Sequence, residues 1–282
     1  MKSRLTFSGI IALILLVSML IFILGVPLLP GYDPYGQNLS GGLVAIGDRA
    51  FDGTYYLLGS DPLGRDMLSR LALAGQVSAA IGAGAVFVSL VVGVTLGLIA
   101  GYFRGPVETL IMGLADLQLS IPRVLLLIVV TAILGPSAVT LAVLLGLTSW
   151  VAYGRVARGM ALSLREREFV LAARAQGSTA VWNIRKHLLP NVLPQMLIVG
   201  SYEFGQIVVL EASLSYLGLG VQPPLPSWGM MVSEGQTYLE LAPYLSILPS
   251  IALFVMVASL QFLSQAFTAE NDPVDLPERI KA

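Results

Sequence analysis

The chain has 282 residues, 56% of them hydrophobic and 12% charged, with a formal net charge of -1, one histidine and no cysteine. Its mean hydropathy of +0.81 excludes a soluble globule and describes a polytopic membrane protein. Without cysteine there is no disulfide, thiol nucleophile or thiolate metal site; His187 alone cannot form a metal cluster, and the balanced charge gives no bias towards nucleic acid.

Lys2 and Arg4 precede an uncharged run over 5–29. That run exceeds the roughly 7–15 residues of a signal-peptide core and has no small-x-small cleavage site after it, so 1–29 is expected to hold a first transmembrane helix with its N-terminus inside. Residues 30–75 read as an external loop: Gly, Pro, Asn and Asp clusters extend to about Arg70, and acidic residues lead. A core of five further helices is expected over 76–268, with a tail over 269–282. Its first helix, about 77–102, carries Gly82, Gly84, Gly93, Gly97 and Gly101, a spacing suited to close contact with another helix. A tight turn at Arg104-Gly105-Pro106 leads to a third span, interrupted at Pro122-Arg123, and a fourth follows over 137–158. The fifth span is expected over 192–217. A Gly- and Pro-rich outer segment over 218–241 and a sixth span over 242–267, bent by Pro243 or Pro249, complete the core.

Between the fourth and fifth spans lies the most polar internal stretch, 163–191, SLREREFVLAARAQGSTAVWNIRKHLLPN. Ser163 three residues ahead of Glu166 fits a capping box, and Gly177 can end a first short helix in the left-handed conformation. Ser178 or Thr179 can cap a second helix with an apolar stripe of Val181, Ile184 and Leu188. That helix is expected to stop at Pro190, with Arg185, Lys186 and His187 near its C-terminal end, where positive charge suits the helix dipole. Seven basic residues, Arg155 to Lys186, lie between the fourth and fifth spans, and the outer segment after the fifth has none. The positive-inside rule therefore gives six spans with both termini cytoplasmic. By spacing alone, a plain basic cytoplasmic loop between two membrane helices has even odds.

Glu168, Ala172, Ala173, Gly177 and the Leu188-Leu189-Pro190 ending resemble the EAA motif of ABC importer permeases. EFVLAARAQG with RKHLLPN is similar to the dipeptide, oligopeptide and nickel branch. LGSDPLGRDMLSRL over 58–71 and EASLSYLGLGVQPPLPSWGMM over 211–231 resemble the C-type subunit of the same permeases. The resemblance implies an all-α type I importer permease fold: six transmembrane helices with a cytoplasmic coupling helix that docks on an ATP-hydrolysing partner. It also implies a second, homologous permease, two ATP-binding subunits, an extracytoplasmic solute-binding protein and a bacterial inner membrane. ATP and Mg would bind to the partner ATPases, since no phosphate-cradling GxxxxGK[ST] loop occurs in this chain, which is expected to be neither an enzyme nor a cofactor carrier. The implied cargo is a di- or oligopeptide, with nickel or its chelate as the alternative. The chain departs from the pattern in LSQAFTAENDP, which keeps Asp272-Pro273 and lacks the family's glycine and arginine.

On that reading Glu168, Ala172, Ala173, Arg174, Gly177, Leu189 and Pro190 form the coupling surface, which is favoured over Glu168 and Arg174 being merely solvated. Glu203 and Glu211, about 80° apart on an ideal helix, belong to a substrate path or are internal hydrogen-bonding groups. They and Asp116 would be the ion carriers of the rival class, a secondary transporter. Asp116 and Arg123 fit helix-end anchors, and Trp228 an interface anchor. Asp61, Gly64, Arg65 and Asp66 either approach external partners or form an internal cap with Asp61 as N-cap and Pro62 as the first helical residue.

Overall fold

The structure is a computed structural model that describes residues 7–271, so Lys2, Arg4 and the Asp272-Pro273 ending lie outside the described residues. Helix α1 (Phe7–Gly25) closes in a 3-10 turn at Val26–Leu28. Helix α2 (Met67–Phe103) has 37 residues, about 55 Å at 1.5 Å per residue, against a hydrocarbon core of about 30 Å. It begins well before the expected 77 because the Asp66 carboxylate accepts the Ser69 N–H at 2.8 Å and its hydroxyl at 2.6 Å. The external loop therefore ends at Asp66 instead of 75, and Asp66, not Asp61, is the cap.

Within that loop, β1 (Asp48–Arg49) and β2 (Tyr55–Tyr56) form a short antiparallel ladder. The loop is fastened to the helices. The Tyr244 hydroxyl sits 2.8 Å from both the Val44 and Ser60 carbonyls, and the Tyr56 hydroxyl donates to the Gly64 carbonyl at 2.9 Å.

Arg104 and Gly105 take φ of 57° and 58°, which makes the expected tight turn into α3 (Gly105–Ser120). Ile121 is extended ahead of Pro122, and α4 (Arg123–Leu134) leaves at 88° to α3. Ser137 caps α5 (Ala138–Leu164), which is followed by the short helices α6 (Glu168–Ala175) and α7 (Ala180–Asn183). Helices α8 (Leu189–Tyr216), α9 (Trp228–Gln236) and α10 (Tyr244–Asn271) complete the described chain. Among the described residues, five helical segments are long and apolar enough to cross a membrane, and the bent α3–α4 pair supplies the sixth crossing if it is one span.

The tightest contact is between α2 and α5. A Cβ on Gly97 would meet the Gly154 carbonyl and the Ala157 Cβ, the latter at 2.8 Å; one on Gly101 would meet the Ala161 Cβ at 2.6 Å. Small residues thus set the interhelical distance, as their spacing predicts. A second cluster joins α1, α2, α9 and α10 around Trp228, which is fully buried. Its indole N–H donates to the Leu71 carbonyl at 3.0 Å and its ring covers Gly75. Trp228 is therefore a core residue and not an interface anchor, because Gly75 leaves the ring a seat and Leu71 gives its N–H an acceptor.

A paired substitution tests the glycine contact. Gly97→Ala forces two backbones apart and is expected to destabilise the protein by about 1–3 kcal/mol. Gly113→Ala, where a Cβ meets nothing within 4 Å, should stabilise by up to about 1 kcal/mol. Thermal unfolding of the two detergent-purified variants reads these opposite signs.

Candidate functional site

The 163–191 stretch packs against the C-terminal end of α2 and runs from the end of α5 into the start of α8. Ser163 still belongs to α5 and only its carbonyl is used, accepting the Glu166 N–H at 3.4 Å. The capping box does not form, since α5 continues through Leu164; the N-cap of α6 is Arg167, with no side-chain hydrogen bond. Glu168 in the first turn of α6 and Arg174 in the last match the helix dipole. Gly177, at φ +86°, ends α6, and the Ser178 N–H returns to the Ala173 carbonyl at 3.1 Å. Thr179 then caps α7 by accepting the Trp182 N–H at 3.3 Å.

The second helix does not stop at Pro190. A π turn over Ile184–Leu188 carries α7 directly into α8, with Pro190 in the first turn of α8. The wider turn accommodates a residue that lacks an N–H, and the Asn191 side-chain amide donates to the His187 carbonyl at 2.6 Å. Arg185, Lys186 and His187 therefore lie within a continuing helical path and not at a helix end. The apolar stripe is also only partial: Leu188 is buried, Ile184 half-buried and Val181 64% exposed, since the short α7 presents that face to solvent.

Val170 is completely buried among Ala161, Leu188 and Val192, which fixes α6 to α5 and α8. The Arg165 guanidinium donates to the Tyr102 carbonyl and pairs with Glu166 at 3.2 Å; Arg104 pairs with Glu166 at 3.2 Å. The Asn183 amide donates to the Tyr102 hydroxyl at 3.2 Å and to the Ser178 hydroxyl at 2.8 Å. The C-terminal end of α2 thereby holds α7 and the link that leads into α6.

The opposite surface is free within this chain. Glu168, Ala172, Arg174, Gly177 and Pro190 are exposed, and Ala173 and Leu189 half-buried. Among the described residues, the side chains of Glu168 and Arg174 have no ion-pair or hydrogen-bond partner. Phe169, Leu171 and Trp182, which the motif does not single out, are each more than 40% exposed beside them. Phe169 and Trp182 flank the His187 ring, with centroids 5.4 and 4.9 Å away. Aromatic residues inside the most polar stretch were the available signal. A small-residue helix edged by apolar rings and two unpaired opposite charges has the composition of a docking surface.

The two glutamates of α8 part company. Glu211 is fully buried and accepts the Ser78 hydroxyl at 3.0 Å and the Ser215 hydroxyl at 2.7 Å. Glu203 borders a cleft of about 730 Å³ between α5, α8 and α10. Asp116 pairs with Arg155 at 2.6 Å, and Arg123 donates to the Ser149 hydroxyl. Both contacts tie the α3–α4 pair to α5.

At the opposite end of α2, the Asp61 carboxylate accepts the Leu63 and Arg65 N–H groups at 2.9 Å each. It also pairs with Arg65 at 2.5 Å and with Arg70 at 3.3 Å. Arg70, buried on α2, reaches Glu234 of α9 at 3.0 Å. Gly64, at φ +71°, lies where a Cβ would run into the Asn38 carbonyl. Asp61, Gly64, Arg65 and Asp66 therefore stand together as one turn joining the external loop to α2, with Pro62 outside the helix.

The family profile described as "Binding-protein-dependent transport system inner membrane component" matches residues 93–272. The chain is similar to the glutathione transport system permease protein GsiD of Pectobacterium atrosepticum, at 35% identity over 80% of this chain and 76% of that protein. It is 32% identical to the dipeptide transport system permease protein DppC of Alkalihalophilus pseudofirmus, over 94% and 85% of the respective chains. It is 31% identical to the oligopeptide transport system permease protein OppC of Haemophilus influenzae, over 95% and 85%. In fold it resembles a chain of the MetNI methionine ABC transporter in an inward-facing conformation, with a TM-score of 0.56 and 20% identity over 73% of this chain and 98% of that one.

Removing the buried outer cation tests the charged turn. Arg70→Ala leaves Asp61 buried with one partner fewer and is expected to cost about 3 kcal/mol, read as a lower unfolding temperature. Faster proteolysis of the 30–66 loop should accompany it.

Proposed function

Because the chain belongs to the binding-protein-dependent transport system inner membrane family, we propose that it is the translocating subunit of an ATP-driven peptide importer, working beside a second permease and ATPase subunits. The cargo is a di- or oligopeptide, in keeping with the dipeptide, oligopeptide and glutathione systems of its relatives. Nickel chelates and ion-coupled exchange have no such support. An extracytoplasmic solute-binding protein delivers the peptide, and ATP and Mg act in the partner subunits. Both termini are cytoplasmic on this reading, since the basic residues cluster between α5 and α8.

The observation that carries the proposal is the surface of α6 and α7: fixed to α2 and α8 on one side, unpaired and exposed on the other. ATP-driven closure of the ATPases displaces this element, and its attachments pass the displacement to the membrane helices, which exchange inward- and outward-open states. Glu168 and Arg174 supply register, and Ala172 and Ala173 close approach.

Glu168→Lys reverses a charge at that surface, and Gly177→Val forces a β-branched residue into the left-handed region. Each is expected to lower ATP-dependent peptide uptake about tenfold or more in reconstituted vesicles, equivalent to about 1.4 kcal/mol of docking energy, and to reduce ATPase co-purification. Uptake that persists without the ATPases and collapses with the proton gradient would overturn the reading.

A further inference from the structure

The cleft between α5, α8 and α10 has chemistry of its own. Val156, Ile198 and Val199 give it apolar walls, and Gln195, Gln261, Gln265 and Glu203 give it polar groups. Gln195 lies near the start of α8, next to the 163–191 stretch, so that end of the cleft is the inner one. Glu203 is two turns further along α8, about 12 Å deeper at 1.5 Å per residue.

Among the described residues, none of the three carboxamides nor the Glu203 carboxylate has a hydrogen-bond partner. Glu211, on the same helix, has two hydroxyl donors, so the bare state of Glu203 is not a property of α8. Two cations are near without bonding to it: Arg155 lines the cleft and pairs with Asp116 at 2.6 Å, and Arg123, close enough to act on Glu203 electrostatically, directs its N–H groups to the hydroxyls of Ser149 and Thr148. A carboxylate at membrane depth without donors calls for a cation or water in the space it faces.

A peptide answers all of these groups together. Its free α-ammonium is the cation for Glu203, and its backbone presents both donors and acceptors, which carboxamides complement in either direction. The apolar walls accept side chains without selecting one, a fit to varied sequences. We infer that this cleft is a binding site for peptides with a free N-terminus, in which Glu203 receives the ammonium and Gln195, Gln261 and Gln265 engage the peptide backbone. The inference rests on the peptide-importer reading and adds where within this chain the cargo is held.

The absence of cysteine permits a direct test. Val199→Cys places one thiol on this chain in the cleft wall, and its maleimide labelling is followed in the assembled transporter in inside-out vesicles. Trialanine at about ten times its apparent Kd is expected to slow labelling about tenfold by mass action, and N-acetyl-trialanine to leave it unchanged. Adding Glu203→Gln should remove the protection, and Glu203→Asp should keep it. Equal protection by the two peptides in the Glu203-containing protein would overturn the inference without depending on any Glu203 variant. Labelling indifferent to trialanine, while the wild-type assembly still imports it with ATP, would overturn the cleft assignment and leave the importer reading standing. Failure of the wild-type assembly to import any peptide would remove both.

Discussion

The close approach of α2 and α5 is the contact on which the rest depends. Gly93, Gly97 and Gly101 on one helix face Gly154, Ala157 and Ala161 on the other, so backbone lies against backbone. In lipid there is no hydrophobic drive between helices, and this kind of dense van der Waals contact replaces it. The contact brings Tyr102 and Arg104, at the end of α2, beside Arg165 and Glu166, just after α5. Had larger side chains separated the two helices, Arg165 could not have reached the Tyr102 carbonyl, and the α6–α7 element would have lost that attachment.

Helix α2 is thereby a rod tied at three levels. Its first turn is held by Asp61 and Glu234 through Arg70, a point a third of the way along by the Ser78 bond to Glu211, and its C-terminal end by Asn183 and Arg165. The external loop, the α8 core and the α6–α7 element are all referred to one helix. Displacement of α6–α7 therefore has a mechanical route to α8 and to the turn at the far end of α2, through ties that are at least part-buried. The cleft bordered by Glu203 lies between α8 and its neighbours, beside that route.

Much of this was legible in the residues. The uncharged runs gave the spans, the glycine spacing the α2–α5 contact, and Gly177 the bend between the two short helices. The parts that were not legible turn on competition between equally good local signals. Asp61-Pro62 and Asp66 can each start a helix, and the choice falls to Asp66 because Asp61 is taken up by Arg65 and Arg70. Pro190 ordinarily ends a helix, yet a π turn upstream absorbs it. Trp228 reads as an interface residue until Gly75, distant in sequence, supplies its seat. The exposure of Phe169 and Trp182, and the separate fates of Glu203 and Glu211, depend on which faces α5, α8 and α10 cover, which no local pattern encodes.

The central claim is that α6 is rigidly joined to the inner end of α2, so that motion at one is motion at the other. Spin labels at Ala172 and Phe103, both exposed, read that separation directly in the assembled transporter. The account predicts the same distance distribution in the nucleotide-free and ATP-bound states, while the distance from Ala172 to the partner permease changes. A shift or broadening of the Ala172–Phe103 distance on ATP binding would show that α6 moves independently of α2 and would contradict it.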